Sequence, residues 1–119
     1  MQMYYCHLCG ERIQNQEAYI GTKEEKLIYS CFHCYIKTLK PIEFDYEKVR
    51  YPLVGIRDIQ LRDSIVFYNV AGKELARIFL KTYNEGMIDF IKSELQRDVG
   101  IRKDDLIIII EPYDVKLKV

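Results

Sequence analysis

Cysteine occurs four times in this chain, in two pairs of equal spacing: Cys6-His7-Leu8-Cys9 and Cys31-Phe32-His33-Cys34. With two residues between them, both thiols of a pair can turn to one side. Two such pairs can then converge on one tetrahedral ion, and zinc is the ion best suited to four sulfurs. The spacing predicts a single structural Zn²⁺ held by Cys6, Cys9, Cys31 and Cys34. A closed four-sulfur site leaves no position for water or substrate, so hydrolytic zinc chemistry is not expected.

The pairs constrain the fold because residues 1–40 hold few large aliphatic side chains. That stretch cannot bury enough surface to fold alone, and a metal would substitute for the missing core. The whole chain is 119 residues long and 49% apolar, enough for one domain or two very small ones. Eighteen basic residues balance eighteen acidic ones. With zinc and four thiolates the balance becomes slightly acidic, and there is no bulk surplus of Lys and Arg for tight non-specific binding to phosphate. No apolar run reaches the roughly 18 residues of a membrane span. The start, Met1-Gln2-Met3-Tyr4-Tyr5-Cys6, lacks the charged and apolar regions of a secretory signal. Cysteine pairs in such a chain read as metal ligands before disulfides, and a cytoplasmic protein is expected.

Along the chain, Gly10 after Cys9 allows the positive φ of a knuckle turn. Residues 17–30 read as a hairpin turning at Thr22-Lys23-Glu24-Glu25. Ser30 is the expected N-cap of a short helix running to about Leu39 and stopped by Pro41. Residues 42–55, with Pro52, Gly55 and many apolar side chains, read as a packed connector between a module at 1–41 and another at 56–119. Ile56, Ile59 and Leu61 suggest an early strand. Ile65 to Val70 and Leu75 to Leu80 form a hairpin about Ala71-Gly72-Lys73. Asn84 caps a predicted helix from Glu85 to about Asp98 with Met87, Ile88, Ile91 and Leu95 on one stripe, closed by Gly100. The continuous run Leu106–Ile110 suits a central strand covered on both faces. Glu111-Pro112-Tyr113-Asp114 reads as a turn, and Val115, Leu117 and Val119 as an edge strand.

Two resemblances follow. Cys6-His7-Leu8-Cys9-Gly10 and Ser30-Cys31-Phe32-His33-Cys34-Tyr35 resemble the knuckle and helix start of treble-clef zinc fingers, including half of a LIM domain, over residues 4–40. The order hairpin, helix, buried strand, edge strand resembles the ubiquitin-like β-grasp over residues 63–119. The chain departs from that family at Lys116-Leu117-Lys118-Val119, which lacks the exposed diglycine tail used in conjugation or sulfur transfer. Together they imply an α+β protein: a small treble-clef finger followed by a mixed sheet with one helix.

No catalytic constellation is present. There is no His-x-Glu beside a cysteine pair, no G-x-G-x-x-G and no P-loop. The expected role is non-catalytic, with a protein as the leading partner. The alternative is nucleic acid, read from Arg12, Lys23, Lys26, Lys37 and Lys40, with Tyr4, Tyr5, Tyr19, Tyr29, Phe32 and Tyr35 available to stack on bases. Interspersed Glu11, Glu17, Glu24 and Glu25 favour an ordinary solvated surface. A thiol redox protein is a second alternative, since Cys31-Phe32-His33-Cys34 opens a helix, but that reading leaves Cys6 and Cys9 unexplained. His7 and His33 are substitute ligands to be weighed against solvent-facing histidines. The edge at Val115–Val119 could pair with itself to form a homodimer.

Overall fold

The computed structural model describes residues 3–13, 17–44, 47–52, 59–84, 86–113 and 115–118. The fold is α+β. Strands β1 (Tyr4–Tyr5) and β2 (Arg12–Ile13) pair around the first cysteine turn. Strands β3 (Glu17–Lys23) and β4 (Lys26–Ser30) form the expected hairpin, followed by helix α1 (Phe32–Lys37). Strands β5 (Leu39–Phe44) and β6 (Glu47–Pro52) form a second hairpin. Then come β7 (Ser64–Tyr68), β8 (Glu74–Phe79), helix α2 (Met87–Asp98), β9 (Ile107–Glu111) and β10 (Lys116–Lys118).

Among the described residues, β5, β6, β9, β7 and β8 lie side by side in that order in one mixed sheet. β9 runs antiparallel to β7, with Val66 opposite Ile109, and parallel to β6, with Arg50 opposite Ile109. Every residue of β7 is buried, which explains the apolar and aromatic run that follows Ser64. Alternation along the strands divides the core in two. Ile65, Phe67 and Ile110 face α2 and pack with Ile88 and Leu95. Val66, Tyr68 and Ile109 face the other way and pack with Tyr19, Phe32, Tyr35, Leu39 and Val115. The N-terminal hairpin and α1 therefore cover one face of the sheet, and α2 covers the other.

Several expectations are corrected here. The helix after the second cysteine pair ends at Lys37 rather than near Leu39, because Leu39 already pairs with Pro52 in β5. The stretch read as a connector is largely the β5–β6 hairpin; Gly55 lies outside the described residues. Ile59 and Leu61 are exposed and outside any strand, since β6 takes the sheet position beside β9; Ile56 lies outside the described residues.

The hairpin, helix and buried strand of the C-terminal part are present. Its last strand is an edge strand of a different sheet: β10 pairs with β3, Leu117 opposite Ala18, in the order β10-β3-β4. The single sheet implied by the β-grasp resemblance is thus not closed by the final strand. Ala18 and Tyr19 are both buried because β3 has neighbours on both faces and both edges. Val119 lies outside the described residues.

Helix α2 starts at Met87, two residues later than expected from Asn84. Gly86, at φ +88, stands at its N-cap, and the Asn84 carbonyl accepts the Met87 N–H at 3.3 Å. Glu85 lies outside the described residues. The predicted stripe is as read: Ile88 and Leu95 are buried, and Met87 and Ile91 pack partly against them. No helix among the described residues is long and apolar enough to cross a membrane.

Candidate metal centre

The first ligand pair sits in a tight turn between β1 and β2. The Cys6 N–H donates to the Glu11 carbonyl and the Gly10 N–H to the Cys6 carbonyl, both at 2.8 Å. Gly10 adopts φ +79 with no atom near a would-be Cβ, so backbone freedom rather than space explains this glycine. The turn is tied to β4 by two further bonds. The His7 N–H donates to the Tyr29 carbonyl, and the Tyr29 N–H donates to His7 Nδ1, both at 2.7 Å.

The second pair stands where β4 gives way to α1. Cys31 is the extended N-cap residue, at φ −76 and ψ 166, and its carbonyl accepts the Tyr35 N–H at 2.8 Å. The expected cap, Ser30, is instead the last residue of β4, where it pairs with Tyr19 and donates its hydroxyl to the Tyr19 carbonyl at 3.4 Å. Helix α1 has two working faces. Cys34 turns toward Cys6, Ile13 and Ala18, while Phe32 and Tyr35 turn toward the large sheet.

These elements bring all four predicted ligands together. The Sγ atoms of Cys6, Cys9, Cys31 and Cys34 lie within 4.8 Å of one another. Zn–S bonds of about 2.3 Å in a tetrahedron place sulfurs about 3.8 Å apart. Cys9 Sγ and Cys31 Sγ are 3.9 Å apart, and all four thiols are free. That separation is close to the zinc value and far from the roughly 2.05 Å of a disulfide. The donor set fits zinc, and among the described residues no other group of metal-ligating side chains gathers in this way.

The surroundings treat the sulfurs unequally. Burial raises the Cys6 thiol, but the backbone at Cys31, Cys9 and Leu8 hydrogen-bonds the sulfur and outweighs burial, so its pKa is lowered to about 6. Burial pushes Cys34 and Cys31 up, and the neighbouring sulfurs add to this at Cys34. Four sulfurs crowded together without a cation resist ionising together. A divalent ion would remove that conflict by holding all four as thiolates.

Neither histidine belongs to the cluster. His7 is exposed, its Nδ1 accepts the Tyr29 N–H, and its ring stacks on Tyr29 at 5.9 Å. His33 is exposed on α1. The six aromatics singled out for stacking divide in half. Tyr19, Phe32 and Tyr35 are buried and unavailable to a base, whereas Tyr5 is exposed and Tyr4 and Tyr29 are half-buried.

A second polar cluster escaped the sequence reading. Glu111, read as a turn residue, is the last residue of β9 and is buried. Tyr68 Oη donates to its Oε2, Arg77 pairs with its Oε1 at 3.1 Å, and Lys116 Nζ lies 3.8 Å from Oε1. Lys116 also lies over the rings of Tyr19 and Tyr68. Burial, with the Glu111 charge adding to it, pushes the Tyr35 and Tyr68 phenols upward, so both remain neutral; Tyr68 donates to Glu111, while the buried Tyr35 Oη has no hydrogen-bond partner among the described residues. An acid four residues before a strand alternation carries no sequence mark of this role; only β10 folding back beside β3 brings Lys116 to it. Comparison with protein-family models, with curated proteins and with solved structures finds no match to this chain.

Proposed function

We propose that this is a non-catalytic zinc-binding protein, in which one Zn²⁺ held by Cys6, Cys9, Cys31 and Cys34 folds a treble-clef finger that supports contact with a protein partner. The observation that carries the reading is the convergence of four sulfurs within 4.8 Å. The local order of knuckle, hairpin and helix start supports the treble-clef assignment. Met3, Tyr5 and Leu8 project from the knuckle and the strand before it, and exposed apolar side chains beside a rigid turn suit a protein contact. The balanced charge and the burial of Tyr19, Phe32 and Tyr35 weigh against nucleic acid.

Native mass spectrometry of the purified protein tests the metal: one zinc per chain is expected, and its loss on chelation should accompany loss of folded structure around the cysteines. A mobility-shift assay across salt concentrations tests the partner class. Retarded nucleic acid with a steep salt dependence would replace the protein reading by the nucleic-acid one.

A further inference from the structure

The four sulfurs differ in access. Cys6 and Cys34 are buried, Cys31 is half-buried, and Cys9 is exposed. Sγ of the exposed Cys9 lies 3.9 Å from Sγ of Cys31, the more accessible member of the other pair. A small oxidant approaching from solvent therefore meets Cys9 first, and the next accessible sulfur is Cys31.

We propose that the finger is a reversible peroxide-responsive switch in which Cys9 and Cys31 form a disulfide and zinc is expelled. This rests on the zinc reading above and differs from an oxidoreductase, because the reaction is stoichiometric and acts on the protein itself. The chemistry balances with a hydroperoxide as the oxidant. The Cys9 thiolate attacks the peroxide oxygen, the O–O bond breaks, and a sulfenic acid forms with release of water or alcohol. The Cys31 thiolate then attacks the Cys9 sulfur, the S–O bond breaks, and the oxygen leaves as water after protonation. Two electrons pass from the two sulfurs to the peroxide. Only Cys6 and Cys34 remain as ligands, too few to retain the ion.

The position of the bond gives the switch its character. A disulfide within either motif would leave no sulfur link between the knuckle and α1 once zinc is lost, only the two hydrogen bonds between His7 and Tyr29. A Cys9–Cys31 bond joins the same two elements that the ion joins and encloses the β3–β4 hairpin between them. The oxidised finger keeps its ends together, so reduction returns the ligands to a geometry ready for zinc.

The sequence supplies a direct assay. Trypsin cutting at Arg12, Lys26 and Lys37 places Cys6 and Cys9 on one peptide and Cys31 and Cys34 on another. Full-length protein, first shown by native mass spectrometry to hold one zinc, is treated with hydrogen peroxide in the presence of a chromogenic zinc indicator. Free thiols are then alkylated and the protein is digested without reduction. The expected result is one zinc released per chain, together with a cross-link between peptides 1–12 and 27–37 that fragmentation assigns to Cys9 and Cys31. Reduction with added zinc should restore the starting mass. Disulfides confined within either peptide, a Cys6–Cys34 link, sulfinic acid without a disulfide, or failure to rebind zinc after reduction would each overturn the switch. Absence of zinc from the starting protein would instead overturn the reading on which it rests. Cys9→Ser, if it retains zinc, should release it at least tenfold more slowly under the same peroxide. Unchanged release would overturn the role of Cys9, and the wild-type peptide map decides the question if the variant does not fold.

Discussion

The cysteine module and the large sheet are packed differently. Around the cysteines the buried apolar side chains are few and small: Ile13 and Ala18 beside Cys6 and Cys34. Around β7 and α2 the core is made of Val49, Ile65, Phe67, Ile78, Ile88, Leu95 and Ile110. Burial of a large aliphatic or aromatic side chain contributes about 1.5–3 kcal/mol. Seven such residues can hold a sheet against a helix, whereas the large buried side chains of the cysteine module, Tyr19, Phe32 and Tyr35, face the sheet and leave only Ile13 and Ala18 beside the sulfurs. On the zinc reading proposed above, an apparent binding free energy of about 10–16 kcal/mol would stabilise that thinly packed side. Between the two regions lies an aromatic layer in which Tyr19 stacks on Tyr35 and Phe32 meets Tyr68. The regions thus differ in how they are packed yet share a wall, and the C-terminal strand β10 adds an edge to the finger's own hairpin.

Chelation should give the largest contrast. With zinc removed, amides of β1 to β4 and α1 are expected to lose hydrogen-exchange protection while β7, β9 and α2 keep theirs. Equal loss in both regions, read by exchange and mass spectrometry, would show that the shared wall makes them one cooperative unit.

The converse change comes next. Phe67→Ala, at a fully buried position facing α2, should cost about 3–5 kcal/mol in urea unfolding while one zinc per chain remains bound. Zinc loss from this variant would again merge the two regions.

The wall itself can be tested at Gly72. A Cβ there would lie 3.0 Å from the Phe32 ring, and the residue has φ +88. Gly10 has a similar φ of +79 but no atom near its would-be Cβ. Gly72→Ala should therefore cost about 1–3 kcal/mol and exceed Gly10→Ala, the excess measuring contact between the β7–β8 turn and α1. Equal costs in thermal unfolding would remove that contact from the account.

The smallest effect lies at the tip of the finger hairpin. Glu24 and Glu25 occupy a two-residue turn with φ of 53 and 66, a conformation suited to Asn-Gly. Replacing them by Asn and Gly should raise stability by about 1 kcal/mol, read as a shift in the urea midpoint of the zinc-loaded protein. No gain would mean that the finger is limited by its metal alone.

Local periodicity made much of this legible. The β3–β4 and β7–β8 hairpins, the stripe on α2 and the buried strand at Leu106–Ile110 all follow from the spacing of apolar residues along short stretches. The β5–β6 hairpin was hidden because Pro41 and Pro52 argue against strands, and only pairing with a neighbour overrides that local preference. Ser30 looked like a cap because a serine before a helix resembles one; its ladder partner Tyr19 claimed it for the strand.

The sequence alone determined which four side chains gather, because thiols in two tight turns of equal spacing have one economical way to be satisfied together. The tertiary structure alone decided how the gathered site is oriented and supported. Pairing of β10 with β3, burial of Glu111 and the 3.9 Å approach of the Cys9 and Cys31 sulfurs join residues far apart in the chain. Such contacts depend on the summed packing of whole elements, which no short stretch of sequence encodes.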